Sequence, residues 1–272
     1  MTGATDTTTG RFGGDDRAVS EVVAFVLVFG VILTSVALLS VTGFQAMDGY
    51  QEAEQVANAE RAMDALTENV NDVLRYDGID RRHGELTLRE GTVTAGSSGT
   101  VVNVSVGGDP IGDDKPFSEI ATEDGAFDVG EFAYHYESET IAYEAGGLVR
   151  ADDTGSVLLE DPLLTCRDDT AVVTLAVVDS QNRSIQSHDG LGVTVVETDP
   201  DRHTRIVDVT GDANVSIGID DTEYERAWHG AVSAGDWDVE EHGGYDPDDG
   251  DVIGVCNADR AVVTVVEIDV RY

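Results

Sequence analysis

From Val22 to Met47 the chain carries no charged side chain: VVAFVLVFGVILTSVALLSVTGFQAM, 26 residues. A helix needs about 20 apolar residues to cross a bilayer, so this run is long enough to span one. It is also longer than the roughly 7–15 residues of a secretory signal core, and no small-residue cleavage box follows it. Arg11 and Arg17 precede the run, whereas the first charges after it are Asp48, Glu52 and Glu54. Basic residues stay on the cytoplasmic side, so the expected topology is single-pass in the cell membrane. The N-terminus is then cytoplasmic and the bulk of the chain extracellular, with membrane lipid as the first partner.

The helix has no evident reason to stop at the membrane. No Pro occurs between Arg17 and Asp109, and Gly is sparse until Gly78. Residues 48–76 are rich in helix formers. Within them Val56, Ala59, Met63, Leu66, Val70 and Val73 recur at alternating spacings of three and four, an apolar stripe at helical period. Glu52 and Gly49 interrupt the stripe upstream. The expectation is one helix from Val19 to Arg75, about 85 Å long at about 1.5 Å per residue. It comprises a span over 19–47, a polar neck over Asp48 to Gln55, and an amphipathic half within 48–76 that packs on the chain's own downstream domain. Residues 1–16, rich in Thr, Gly and Asp, read as a disordered leader.

From Glu85 the period changes to two. Glu85 to Arg89, Thr100 to Val106, Glu131 to Tyr136, Thr140 to Tyr143, Ala171 to Val178, Gly192 to Val196, Arg205 to Val209, Val215 to Ile219 and Ala261 to Val270 read as strands. Val and Thr dominate them, as strands prefer. Turns at Gly107-Gly108-Asp109-Pro110, Gly146-Gly147, Asp189-Gly190 and Thr210-Gly211-Asp212 separate them. One helical piece, Thr222 to Ser233, places Tyr224, Ala227 and Trp228 on one side. The fold class is α+β: a long N-terminal transmembrane and amphipathic helix, then a mostly antiparallel, sandwich-like β-rich head over 85–272 with one short helix.

Against 54 acidic residues stand 16 basic ones, 15 Arg and Lys115, for a net charge of −38. Phosphates would be repelled, which excludes nucleic acid as a partner. The carboxylates are interleaved with Val, Thr and Gly, unlike a disordered acidic tail. Self-repulsion of this size destabilises a compact state at low ionic strength. At about 1 M salt the Debye length falls to about 3 Å and the repulsion is screened. The wealth of Asp and Glu and the near absence of Lys resemble proteins of halophilic archaea.

Arg17-Ala18-Val19-Ser20, followed by an apolar helix, a continuing amphipathic helix and a β-rich head, resembles the archaeal type IV pilin-like proteins. The stretch around Glu52 to Met63 is also similar to haloarchaeal membrane-anchored proteins of this layout. The resemblance covers the first 75 residues. It implies cleavage by a prepilin peptidase between Ala18 and Val19, which makes 1–18 a removed leader. It further implies other pilin-like subunits as partners, through helix packing, and an extracellular filament after processing. Bacterial type IV pilins carry Glu at the fifth mature position, whereas Glu21 would stand third here. Glu21 is therefore read either as an assembly residue or as a helix-start carboxylate favoured by the dipole.

The remaining candidates are few. Cys166 and Cys256 form one disulfide or remain two buried thiols. Asn103-Val104-Ser105, Asn182-Arg183-Ser184 and Asn214-Val215-Ser216 are N-glycosylation sequons, with Asn182 in the most turn-like context. The acidic run Asp246 to Asp251 departs from a calcium loop and reads as solvated. His83, His135, His188, His203, His229 and His242 do not pair at metal-ligand spacing. No nucleophile elbow and no phosphate-binding loop is present in the sequence. Tyr134 and Tyr136 are expected on one face of their strand and His135 on the other, and Trp228 and Trp237 as core anchors. The sequence thus predicts no catalytic residue, no metal and no cofactor; it predicts a surface subunit or, alternatively, an anchored binding module that does not polymerise.

Overall fold

The structure is a computed structural model that describes residues 15–76, 78–88, 90–97, 99–186, 190–198, 202–211, 213–239 and 252–272, the side chains of 15–19, 45, 46 and 48 excepted. The leader up to residue 14 and the acidic run 246–251 lie outside the described residues. One helix, α1, runs over Asp15–Arg75. It starts ahead of the expected Val19 because no Gly or Pro lies between Asp15 and Val19 to stop it. The chain divides into two compact units between Glu54 and Gln55.

In the first unit the side chains of α1 from Ser20 on are exposed wherever they are described. In the second unit the stripe faces inward: Val56, Ala59, Met63, Leu66, Val70 and Val73 are all buried, Met63 and Val73 completely. The stripe needed only the helical period to be legible, because one face of a helix has to be covered.

The second unit is mostly antiparallel β and holds three six-stranded sheets among the described residues. The first runs in the order Arg81–Thr87, Gly190–Glu197, Arg260–Arg271, Thr170–Val178, Leu163–Arg167, with His203–Asp208 also paired to Arg260–Arg271. The second runs Arg183–Gln186, Thr92–Gly96, Glu131–Tyr136, Glu139–Glu144, Gly147–Asp152, Gly155–Glu160. The third runs Asp238–Val239, Val252–Cys256, Val215–Asp220, Val101–Val106, Asp109–Pro110, with Phe127–Asp128 also on Val101–Val106. Thr170–Val178 and Arg260–Arg271 pair in parallel, in register from Thr170 with Arg260 to Val178 with Ile268.

Alternation sorts the interior into two cores. One lies beneath α1, where Met63, Leu66 and Val70 meet Phe132, Tyr134, Ile141 and Tyr143 of the second sheet and Val266 and Ile268 of the first. The other gathers Val104, Ile217 and Ile219 of the third sheet, Val173, Leu175 and Val263 of the first, and the second helix. That helix, α2, spans Glu225–Ala234 and buries Ala227, Trp228, Ala231 and Val232. Thr170–Val178 serves both cores, Leu175 facing one and Ala176 the other. The turn Ala145-Gly146 has positive φ at both residues (48° and 99°), the backbone that closes a two-residue hairpin with the natural strand twist.

Several strands begin earlier than expected; the first starts at Arg81 rather than Glu85. Thr92–Gly96, Gly147–Asp152, Gly155–Glu160, Leu163–Arg167, Arg183–Gln186 and Val252–Cys256 are additional to those expected.

Candidate functional site

Two features of this fold can carry function: the apolar surface of α1 in the first unit, and the way the second unit grips its own part of that helix. On the surface, Phe25 is 70% and Leu39 72% exposed. Three hydroxyls within the run are turned onto their own backbone. Thr34 Oγ1 donates to Gly30 O at 2.8 Å, Ser35 Oγ to Val31 O at 2.7 Å and Thr42 Oγ1 to Leu38 O at 2.9 Å. A side chain bonded in this way presents carbon outward, and every backbone polar group stays satisfied inside the helix, as a bilayer requires. Among the described residues α1 is the one helix long and apolar enough to cross a membrane. Ser20 and Glu21 are exposed at its start, and the side chains of Arg17, Ala18 and Val19 lie outside the described residues.

The second unit fastens its portion of α1 by more than the stripe. At the C-terminal end of α1, Arg202 Nη1 donates to Leu74 O (2.8 Å) and Nη2 to Val73 O (2.6 Å) and Tyr76 O (3.0 Å). The terminal carbonyls of a helix have no partner within it and carry its negative dipole end, so a guanidinium there satisfies both needs. Glu197 in turn holds Arg202 at 3.0 Å, its side chain only 6% exposed. Midway, Arg150 bridges Glu60 of α1 (2.7 Å) and Glu139 of the second sheet (2.7 Å). Asn71 Nδ2 donates to Gly146 O at the hairpin turn. Sequence reading did not single out Arg202 or Arg150, because their acceptors lie on distant segments.

Cys166 and Cys256 are joined in a disulfide that ties the edge of the first sheet to the third across 90 residues of sequence. The sequons are placed unequally. Asn182 is exposed, ahead of the exposed edge strand Arg183–Gln186. Asn103 is half-buried within Val101–Val106, its Oδ1 shielded from solvent. Asn214 is half-buried just before Val215–Asp220. The third-position hydroxyls of these two sequons, Ser105 and Ser216, bond to each other at 2.7 Å across the paired strands.

The least expected group is Glu144, 1% exposed at the end of Glu139–Glu144. Trp228 Nε1 of α2 donates to its Oε1. Thr100 Oγ1 lies 3.0 and 2.9 Å from its two oxygens and 2.8 Å from Thr222 Oγ1. The neighbouring Glu131 accepts from Tyr224 OH at 3.1 Å. Burial, eased in part by the Trp228 and Thr100 bonds, pushes the Glu144 carboxyl up to about 7. Burial also raises Glu131. Trp228 thus does more than fill the core, whereas Trp237 is buried and its Nε1 has no such partner among the described residues.

Among the described residues the histidines stay apart. His83 meets Thr194, His135 lies between Thr94 and Thr140, and His203 sits 3.8 Å from Glu267. His188 and His242 lie outside the described residues. Among the described residues no group of three or more His, Cys, Asp or Glu is placed to hold a metal ion. Tyr134 is buried while Tyr136 and His135 are half-buried.

The model of one sequence family matches residues 17–271. The chain belongs to DUF7289, a family of unknown function. The DUF7289 match begins at Arg17 and runs through Arg271, so it takes in the apolar part of α1, the disulfide and the final strand together. No curated protein and no solved structure matches the chain.

Proposed function

We propose that this chain is a type IV pilin-like surface subunit, a minor component, held in the membrane or assembled with like subunits through its N-terminal helix. Cleavage by a prepilin peptidase falls between Ala18 and Val19, freeing Val19 as the mature N-terminus. The observation that carries this reading is the composition of α1: an exposed apolar segment and a buried stripe belong to one uninterrupted helix. A permanent anchor needs only a span followed by any linker, whereas a subunit needs an apolar segment that can exchange lipid for neighbouring helices while its other half stays packed. The β domain lies outside the cell in this reading. Its disulfide suits an oxidising exterior, and the basic flank ahead of the span supports the same orientation.

Mass spectrometry of the native N-terminus tests the proposal. A terminal peptide starting at Val19 is expected. A start at Met1 or Thr2 instead makes the chain a permanently anchored extracellular binding module. Replacing Arg17 or Ala18 by Asp is expected to abolish processing; unchanged processing would count against cleavage at this site.

A further inference from the structure

Among the described residues, Glu144 is a buried carboxyl with no cation bonded to it. Every element around it contributes a neutral or an acidic group: Thr100 and Thr222 from loops, Glu131 from the adjacent strand, Tyr224 and Trp228 from the α2 side. Glu223 adds a further negative charge near Glu131 and Tyr224, and among the described residues the one favourable charge acting there is His135, on Glu131. Among the described residues, none of the hydrogen bonds to Glu144 comes from Arg, Lys or His. An unpaired buried charge is costly, and such a group normally stays neutral instead.

The hydroxyl chain beside it accommodates both protonation states. Thr100 has one proton to give and lies within bonding distance of Glu144 and of Thr222. With Glu144 protonated, its O–H donates to Thr100, and Thr100 donates onward to Thr222. With Glu144 ionised, the order reverses: Thr222 donates to Thr100 and Thr100 to the carboxylate. Tyr224 N donates to Thr222 Oγ1 at 3.1 Å and can do so in both states, which ties the start of α2 to the chain. The N-terminal end of α2 has no cap from its own Tyr224 side chain; Ser156 supplies one from the second sheet, accepting from Ala227 N at 3.1 Å.

We propose that Glu144 is a proton-operated latch for α2: protonated, it lets helix and sheet close over it, and on losing the proton it places an unpaired charge beneath Trp228 and loosens the helix. Its carboxyl sits at about 7 rather than at the usual 4.5, so the latch opens as pH rises through neutrality. The chain has two tryptophans, so Trp237→Phe leaves Trp228 as a single reporter. The full chain in detergent micelles and high salt is titrated from pH 5 to pH 9. Trp228 emission is expected to follow a one-proton curve centred near pH 7, and Glu144→Gln is expected to flatten it. Amide exchange of residues 225–234, measured in the wild-type tryptophan background, is the second readout. Once the intrinsic pH dependence of exchange is divided out, protection is expected to fall by roughly a hundredfold from pH 5 to pH 9, and to change little in Glu144→Gln. A flat wild-type profile, or one that persists in Glu144→Gln, would overturn the proposal.

Discussion

Removing the guanidinium of Arg202 would strip three carbonyls at the end of α1 of their donor and leave Glu197 buried without its cation. Breaking one half of a buried ion pair costs more than the pair contributes. Arg202→Met should therefore lower the unfolding free energy by about 3 kcal/mol, read from the denaturant midpoint in high salt. Glu144 makes an opposite prediction. Its folded-state carboxyl lies above the unfolded value, so the unfolded chain gives up its proton first as pH rises. Stability is then highest below about pH 4.5 and falls by about 3 kcal/mol as pH climbs towards 7. Glu144→Gln should remove that slope and unfold later than wild type at pH 8. Neither residue could be picked out in the sequence. Glu144 is one of 54 acidic residues, and its partners at 100, 131, 222, 224 and 228 are scattered. The one available signal was parity: Glu144 is in phase with Ala142, and Ala142 faces the core that holds α2.

Elements were legible where one period ruled. The α1 stripe obeys helical spacing from Val56 to Val73, and each of its residues is buried. In two of the strands that escaped notice the alternation fails or inverts. In Gly155–Glu160 the polar Ser156 is buried because it caps α2, while Val157 is 56% exposed. Gly147–Asp152 buries three successive residues, which leaves no period of two to detect. Two substitutions test how these elements are joined. Met63→Ala opens a void in the centre of the α1 core and should cost about 3 kcal/mol, read by chemical denaturation. Replacing both Cys166 and Cys256 by Ser frees a 90-residue loop in the unfolded chain. By the chain-entropy account this costs about 4.6 kcal/mol, which calorimetry should register as a fall of roughly 10–15 °C in Tm.

At the scale of the molecule, the charge of −38 has to be carried by a domain only partly able to neutralise it. The crowding is concrete where Gly155–Glu160 meets α1. Burial first, then Asp64, Asp161 and Glu68, lift the Glu160 carboxyl above its ordinary range. Lowering the salt lengthens the range of such repulsions from about 3 Å at 1 M to about 30 Å at 0.01 M. Desalting the detergent-solubilised chain should therefore erase its β signal in far-UV circular dichroism, and restoring salt should return it. A spectrum unchanged in dilute buffer would contradict this reading of the charge.

The strand Arg260–Arg271 also sets a clock. It pairs with Thr170–Val178, Gly190–Glu197 and His203–Asp208, so three strands made earlier wait on it. It also lines both cores, Val263 and Val265 on one side, Val266 and Ile268 on the other. A ribosome or a translocation channel that releases the chain N-terminus first releases this keystone after every strand it joins. Until then those strands hold open edges and uncovered valines, the state most exposed to mispairing. Completion of the domain is thus a late, all-at-once event, and a chain halted before Arg260 is a substrate for quality control rather than a smaller version of the same protein.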